Sequence, residues 1–170
     1  GLNAEQAECV ADARSCAESL GQLLRQIVAF NQAEAGTLAL DAVLFSPAAL
    51  LSEVTGGYRA RAQHKGLRID TRVAPALPAL VRAPFPVIRQ ILLVLVDNAV
   101  KFSSAGGVTL SLDGDGGRLN FSVSDTGIGM TDEQLAWIAL PFAQVDGGLS
   151  RRNTGIGLGL PLAKRLATSL

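Results

Sequence analysis

The chain has 170 residues, enough for one compact domain and an attached element. Hydrophobic residues make up 48%, which can form a real core, and acidic and basic side chains balance to a formal charge of +0. That balance argues against a nucleic-acid protein, which would carry a basic excess or stripe, and gives no polybasic case for membrane contact from this segment.

No apolar run reaches the ~18 residues of a spanning helix, and no leader peptide is visible. The best candidate, "VIRQILLVLV", is short and holds an arginine. Cys9 and Cys16 would lie about 10 Å apart along a helix axis, too far for a disulfide. They read as small apolar core residues in a reducing compartment. Two cysteines and one histidine argue against a metal centre of Cys and His ligands.

Residues 2–35 read as one long helix. Ala13, Cys16, Leu20, Leu23, Ile27 and Phe30 alternate at three and four residues. That is the seam of a coiled coil or helix bundle, so a partner helix is required. Gly36 is its stop. "TLALDAVLF" (37–45) alternates weakly, as a short strand would. Ser46 as cap and Pro47 at the first helical position open a helix to about Lys65, ended by Gly66. "LRIDTRV" (67–73) alternates with period two and is a strand. A proline-punctuated connection leads to an apolar helix over 87–103. "VTLSL" and "LNFSV" form a hairpin around "DGDGG". A short helix covers 131–139 with a threonine cap and acids in its first turn, and 140–157 is a polar, glycine-bearing loop. "LGLPLAKRLATSL" begins a final helix, inside which the sequence stops. Three strand candidates are few for an open sheet, so a fragment at both ends is expected.

Three places could carry chemistry. The 87–103 helix is apolar nearly all round, yet Asn98 and Lys101 share one of its faces. A buried amide there must bond to something, although helix ends also favour asparagine and lysine. "DTGIGM" (125–130) sets an acid at a strand end before Gly-x-Gly, which lets backbone approach a ligand closely. The Asp125 carboxylate could accept from an exocyclic amine, and the same residues are also ordinary turn chemistry. "TGIGLGL" (154–160) opens a helix, where free N–H groups and the positive dipole end suit phosphates. It lacks the Lys-Ser/Thr of a P-loop. Together the three read as a nucleotide site.

With these residues in view, the chain resembles a sensor histidine kinase. "RQILLVLVDNAVKF" looks like that family's asparagine box, "DTGIGM" its first glycine box, "PFAQVDGGLSRR" its phenylalanine box and "TGIGLGL" its second glycine box, in family order. "AEQAECVADARSCAESLGQLLRQIVAFNQAEAG" is similar to the second helix of the dimerisation and histidine-phosphotransfer bundle. The resemblance implies an α+β fold of the Bergerat type: an α/β sandwich in which a mixed sheet carries helices on one face. It implies a bundle helix over 1–37 and an ATP-binding catalytic domain over 38–170 that lacks its final strands.

The resemblance further implies that Asn98 coordinates Mg²⁺ on the phosphates of ATP and that Lys101 approaches those phosphates. Asp125 would accept from the adenine amine, with Gly127 and Gly129 making room for the base. Phe142 would anchor the lid and Arg151 would hold its basic position. Gly155, Gly157 and Gly159, with Leu158 among them, would let the lid fold over the triphosphate. The implied partners are a homodimeric bundle mate and a response-regulator receiver domain. The implied location is cytoplasmic, as a free protein or as the inner part of a membrane-bound sensor.

Four departures bear on this expectation. Val94 stands where the family usually has a second asparagine and related ATPases a glutamate, and valine can neither hold metal-bound water nor act as a base. Ile156 replaces a usual threonine, and Thr154 a frequent glycine. The only histidine, His64, lies outside any phosphoacceptor motif and reads as a solvated surface residue. Two rival readings follow: a degenerate scaffold or phosphotransfer protein with weak or no ATP binding, and another superfamily member such as an anti-sigma-factor serine kinase. The heptad helix argues against the last.

Overall fold

The computed structural model describes residues 3–115, 117–138, 140 and 157–170. They divide into two units, residues 1–38 and 39–170. The first is a single helix, α1 (Ala4–Glu34). Asn3 Oδ1 accepts the Gln6 N–H at 2.8 Å, and Gln6 Oε1 accepts the Asn3 N–H at 3.1 Å, a reciprocal cap that fixes the helix start. Its end is a left-handed Gly36, after which the Thr37 N–H reaches back to the Gln32 carbonyl at 3.0 Å. Along the heptad stripe Leu20 and Ile27 are exposed and Leu23 and Phe30 half-buried. Cys9 and Cys16 are both exposed, which corrects the expectation that they are core residues. A lone helix buries little of its own stripe, so a heptad position is not by itself a core position.

The second unit is mixed. β1 (Val43–Phe45) pairs antiparallel with β3 (Val81–Ala83). The strand expected over 37–45 is thus confined to its last residues. Its partner lies in the connection read as irregular, within the five residues between Pro78 and Pro84, which all keep an N–H for a ladder. The main sheet has order β2-β4-β5. In it β2 (Arg68–Val73) runs parallel to β4 (Gly107–Asp115), and β4 antiparallel to β5 (Arg118–Asp125). β4 runs three residues into "DGDGG", to Asp115, and β5 starts just after it at Arg118, with Gly117 at φ +91° in the turn.

Two long helices cover one face of this sheet. α2 (Pro47–His64) starts on Ser46, whose Oγ accepts the Ala49 N–H at 3.3 Å. It ends in a Schellman turn: Gly66 is left-handed, its N–H bonds the Gln63 carbonyl, and the Leu67 N–H bonds that of Ala62. His64 is exposed in its last turn. α3 (Phe85–Phe102) begins two residues before the expected start, since Pro86 fits a first turn where no N–H is needed. Leu92, Val96 and Val100, four apart, meet Val108, Leu110 and Leu112, two apart on β4, and α2 adds Leu50, Leu51 and Val54. These side chains are nearly inaccessible and form the core.

Two shorter helices follow. α4 (Asp132–Ile138) is capped by Thr131 and Gln134 reciprocally and leaves Leu135 and Trp137 exposed. α5 (Gly159–Thr168) packs on α3 and buries Leu162, Ala163 and Leu166. It closes at Thr168 with Ser169 as its C-cap, whereas the sequence pattern left it open.

Candidate functional site

α3 buries one face against the sheet and turns Asn98 and Lys101 away from it, both half-buried. Asn98 Nδ2 donates to the Val94 carbonyl one turn back at 3.0 Å. The amide nitrogen is thereby satisfied inside the helix, and Oδ1 is left as the acceptor that can meet a ligand. Val94 itself is 6% exposed and presents only methyl groups. Gly159, the first residue of α5, lies against this same turn. A Cβ added there would sit 3.4 Å from Val94 Cγ1 and 3.5 Å from Asn98 Nδ2. The glycine cluster and the asparagine helix are therefore in contact, although some sixty residues (98 to 159) separate them.

The N-terminus of α5 is left open. Its cap residue, Leu158, is buried and offers no side-chain oxygen, so among the described residues no side chain caps the N–H groups of Gly159 and Leu160. Gly157, just before it, is left-handed at φ +71°. The backbone donors of this helix start and its positive dipole end thus stand beside Asn98.

Asp125 closes β5, and its Oδ1 accepts the Gly127 N–H at 2.8 Å. This Asx turn fixes the carboxylate and leaves its second oxygen without a hydrogen bond among the described residues. Gly127 is required by space: a Cβ would lie 2.7 Å from Asp125 Oδ1 and 2.8 Å from the Phe102 carbonyl. Gly129 is required by conformation, at φ +65°. Thr126, which no motif singles out, ties this turn to the loop after α3. Its hydroxyl donates to the Ala105 carbonyl at 2.6 Å and accepts the Gly107 N–H at 2.9 Å. The only sequence signal is a hydroxyl between the acid and the glycine.

Lys101 Nζ stands 5.1 Å from the centre of the Phe102 ring. Burial lowers its pKa from the ordinary lysine value, with Arg61 adding to the shift and Asp97 opposing it. Among the described residues no group of three or more His, Cys, Asp or Glu could hold a metal ion. Asn98 Oδ1 is the oxygen ligand this face offers, and Mg²⁺ characteristically needs only one or two protein ligands beside phosphates and water. Phe142, Arg151 and Gly155, with Thr154 and Ile156, lie outside the described residues. A cavity of about 550 Å³, lined by Phe45, Ile88, Leu119 and Phe121 among others, takes in none of these site residues.

Known proteins are similar to this chain in sequence and in fold. Residues 86–170 match the family described as histidine kinase-, DNA gyrase B-, and HSP90-like ATPase. The sensory/regulatory protein RpfC of Xanthomonas campestris pv. campestris is 36% identical over 99% of this chain. The sensor histidine kinase GacS of Pseudomonas protegens is 33% identical over 97%. Among solved structures, full-length ShkA in complex with AMPPNP superposes over 99% of this chain and 35% of its own, with a TM-score of 0.83 at 36% identity. The histidine kinase AdeS of Acinetobacter baumannii, at 19% identity over all of this chain and 76% of its own, shares the fold with a TM-score of 0.73.

The chain belongs to the histidine kinase-, DNA gyrase B- and HSP90-like ATPase family, and its similarity lies with the sensor histidine kinases in particular. It spans 24% of the length of RpfC and 18% of that of GacS. No helix among the described residues is long and apolar enough to cross a membrane.

Proposed function

We propose that this chain is the ATP-binding catalytic part of a two-component sensor histidine kinase. ATP lies along the face formed by Asn98 and Lys101 of α3, the Asp125–Gly129 turn and the open N-terminus of α5. The observation that carries this reading is the Asp125 carboxylate: one oxygen is pinned by the Gly127 N–H, and the other is available to accept from an adenine amine.

Each residue then has a task. Gly127 and Gly129 keep side chains out of the space the base occupies. The α5 N–H groups and Lys101 neutralise phosphate charge, in a reaction class where positioning and electrostatics carry catalysis. Asn98 Oδ1 would hold Mg²⁺, which when bound offsets charge developing between the phosphates. Phe142, Arg151 and Gly155 are assigned to the lid on the family motifs alone. His64, exposed at the end of α2, has no part in transfer. The γ-phosphoryl group goes to a histidine on another bundle helix, and from there to the aspartate of a receiver domain. The exposed Leu20 and Ile27 of α1 suit a homodimeric bundle, and the assembly works in the cytoplasm.

Val94 supports a second reading. An apolar, buried residue beside Asn98 halves the oxygen ligands available to a cation, as a degenerate scaffold would tolerate. Calorimetric titration of this chain with ATP, with and without Mg²⁺, beside Asp125→Asn, separates the two. The kinase reading predicts binding that Mg²⁺ strengthens and that Asp125→Asn weakens by about tenfold or more. A folded chain that binds no ATP at millimolar concentration contradicts it and favours the scaffold.

A further inference from the structure

One face of α2 grips α3 at three levels. The Tyr58 hydroxyl donates to the Leu93 carbonyl at 3.3 Å, and Arg61 Nη1 to Asp97 Oδ1 at 2.6 Å. Lys65 Nζ donates to three carbonyls, Val100 at 2.7 Å, Lys101 at 2.9 Å and Ser103 at 3.0 Å. Positions 58, 61 and 65 follow helical spacing, and their targets bracket Asn98 from Leu93 before it to the C-cap Ser103 after it.

The Lys65 contact differs from the others in kind. An ammonium has three donors, and here all three go to backbone oxygens at a helix C-terminus. Those oxygens lack intrahelical partners and carry the negative end of the dipole. Lys65 can reach them because the Schellman turn at Gly66 stops α2 beside them. The same stretch of backbone supports the opposite wall of the site. The Phe102 carbonyl, between two of the Lys65 acceptors, is what a side chain at Gly127 would strike, so the Asp125 turn rests directly on it.

We propose that Lys65 is a positioning residue of the nucleotide site. It touches no nucleotide. It fixes the last turn of α3, and through it the register of Asn98 and Lys101 on one side and of the Asp125–Gly127 turn on the other. The inference rests on the reading of that face as a nucleotide site.

The test compares Lys65→Met and Lys65→Arg with the wild-type chain by amide hydrogen exchange and by ATP titration with and without Mg²⁺. In Lys65→Met, exchange at the last-turn amides of α3 (101–103) accelerates about tenfold while Leu110 in β4 keeps its protection. Affinity for Mg²⁺-ATP falls about tenfold in the same variant. Lys65→Arg, which still offers several donors to the carbonyls, recovers part of both. Acceleration spread equally to Leu110 would mean that Lys65 only stabilises the fold, and would overturn the proposal. So would unchanged exchange at 101–103, or unchanged affinity beside a wild-type chain that binds. A wild-type chain that binds no nucleotide overturns the reading of the site and this inference with it.

Discussion

Asn98 gives its amide nitrogen to the carbonyl of Val94, one turn earlier in the same helix, at 3.0 Å. The bond duplicates no other contact and holds no second element. Asn98→Ala therefore leaves stability within about 0.7 kcal/mol, since alanine is the better helix former. The strengthening of ATP binding by Mg²⁺ is abolished in the same variant. Thermal unfolding and paired titrations, with and without the cation, check both halves.

Gly127→Ala puts a methyl group against Asp125 Oδ1 and the Phe102 carbonyl, neither of which can retreat without breaking the turn. Overpacking of this kind costs about 1–3 kcal/mol. ATP affinity falls by at least about tenfold, because the carboxylate loses its fixed orientation. A variant as stable as the wild type and binding as tightly would show that the turn has slack.

Thr126→Val removes the hydroxyl that joins the turn to Ala105 and Gly107. The side chain is exposed, so the loss is about 1 kcal/mol rather than the larger cost of an orphaned buried group. Thr126→Ser restores it. Urea unfolding of the three chains orders them, with valine least stable.

Tyr58 is the only tyrosine in the chain, which makes its ionisation directly readable. Burial first, and then the nearby Asp97, hold its hydroxyl well above the usual tyrosine range. A raised folded pKa gives stability that is complete below the unfolded value, about pH 10, and is lost as pH rises toward the folded value. Tyrosinate absorbance of the native chain therefore stays flat past the pH at which the urea-unfolded chain titrates. Unfolding free energy declines over the same interval, and Tyr58→Phe removes that part of the decline.

Much of this arrangement is legible in the order of the residues alone. The four-residue spacing of Leu92, Val96 and Val100, the alternation of Val108, Leu110 and Leu112, and the Ser46-Pro47 start of α2 are local patterns. Each persists in the fold because packing agrees with propensity there. β3 is hidden because a three-residue strand in a proline-punctuated stretch carries no period. Cys9 and Cys16 mislead because a heptad position says which face is apolar and nothing about what covers it. The site residues are legible by type, and their joinery is not. Nothing in "DTGIGM" says that Thr126 bonds the loop after α3. Nothing in "RAQHKGL" says that Lys65 reaches across to three carbonyls of another helix. Those contacts depend on tertiary placement.

In the proposed site the Asp125 carboxylate recognises the exocyclic amine of adenine. The most direct measurement is a comparison of ATP with inosine triphosphate, which lacks that amine, as ligands of the unaltered chain. ATP is expected to bind tighter by about tenfold or more, as when a fixed acceptor loses its donor. Equal affinity for the two nucleotides would contradict it.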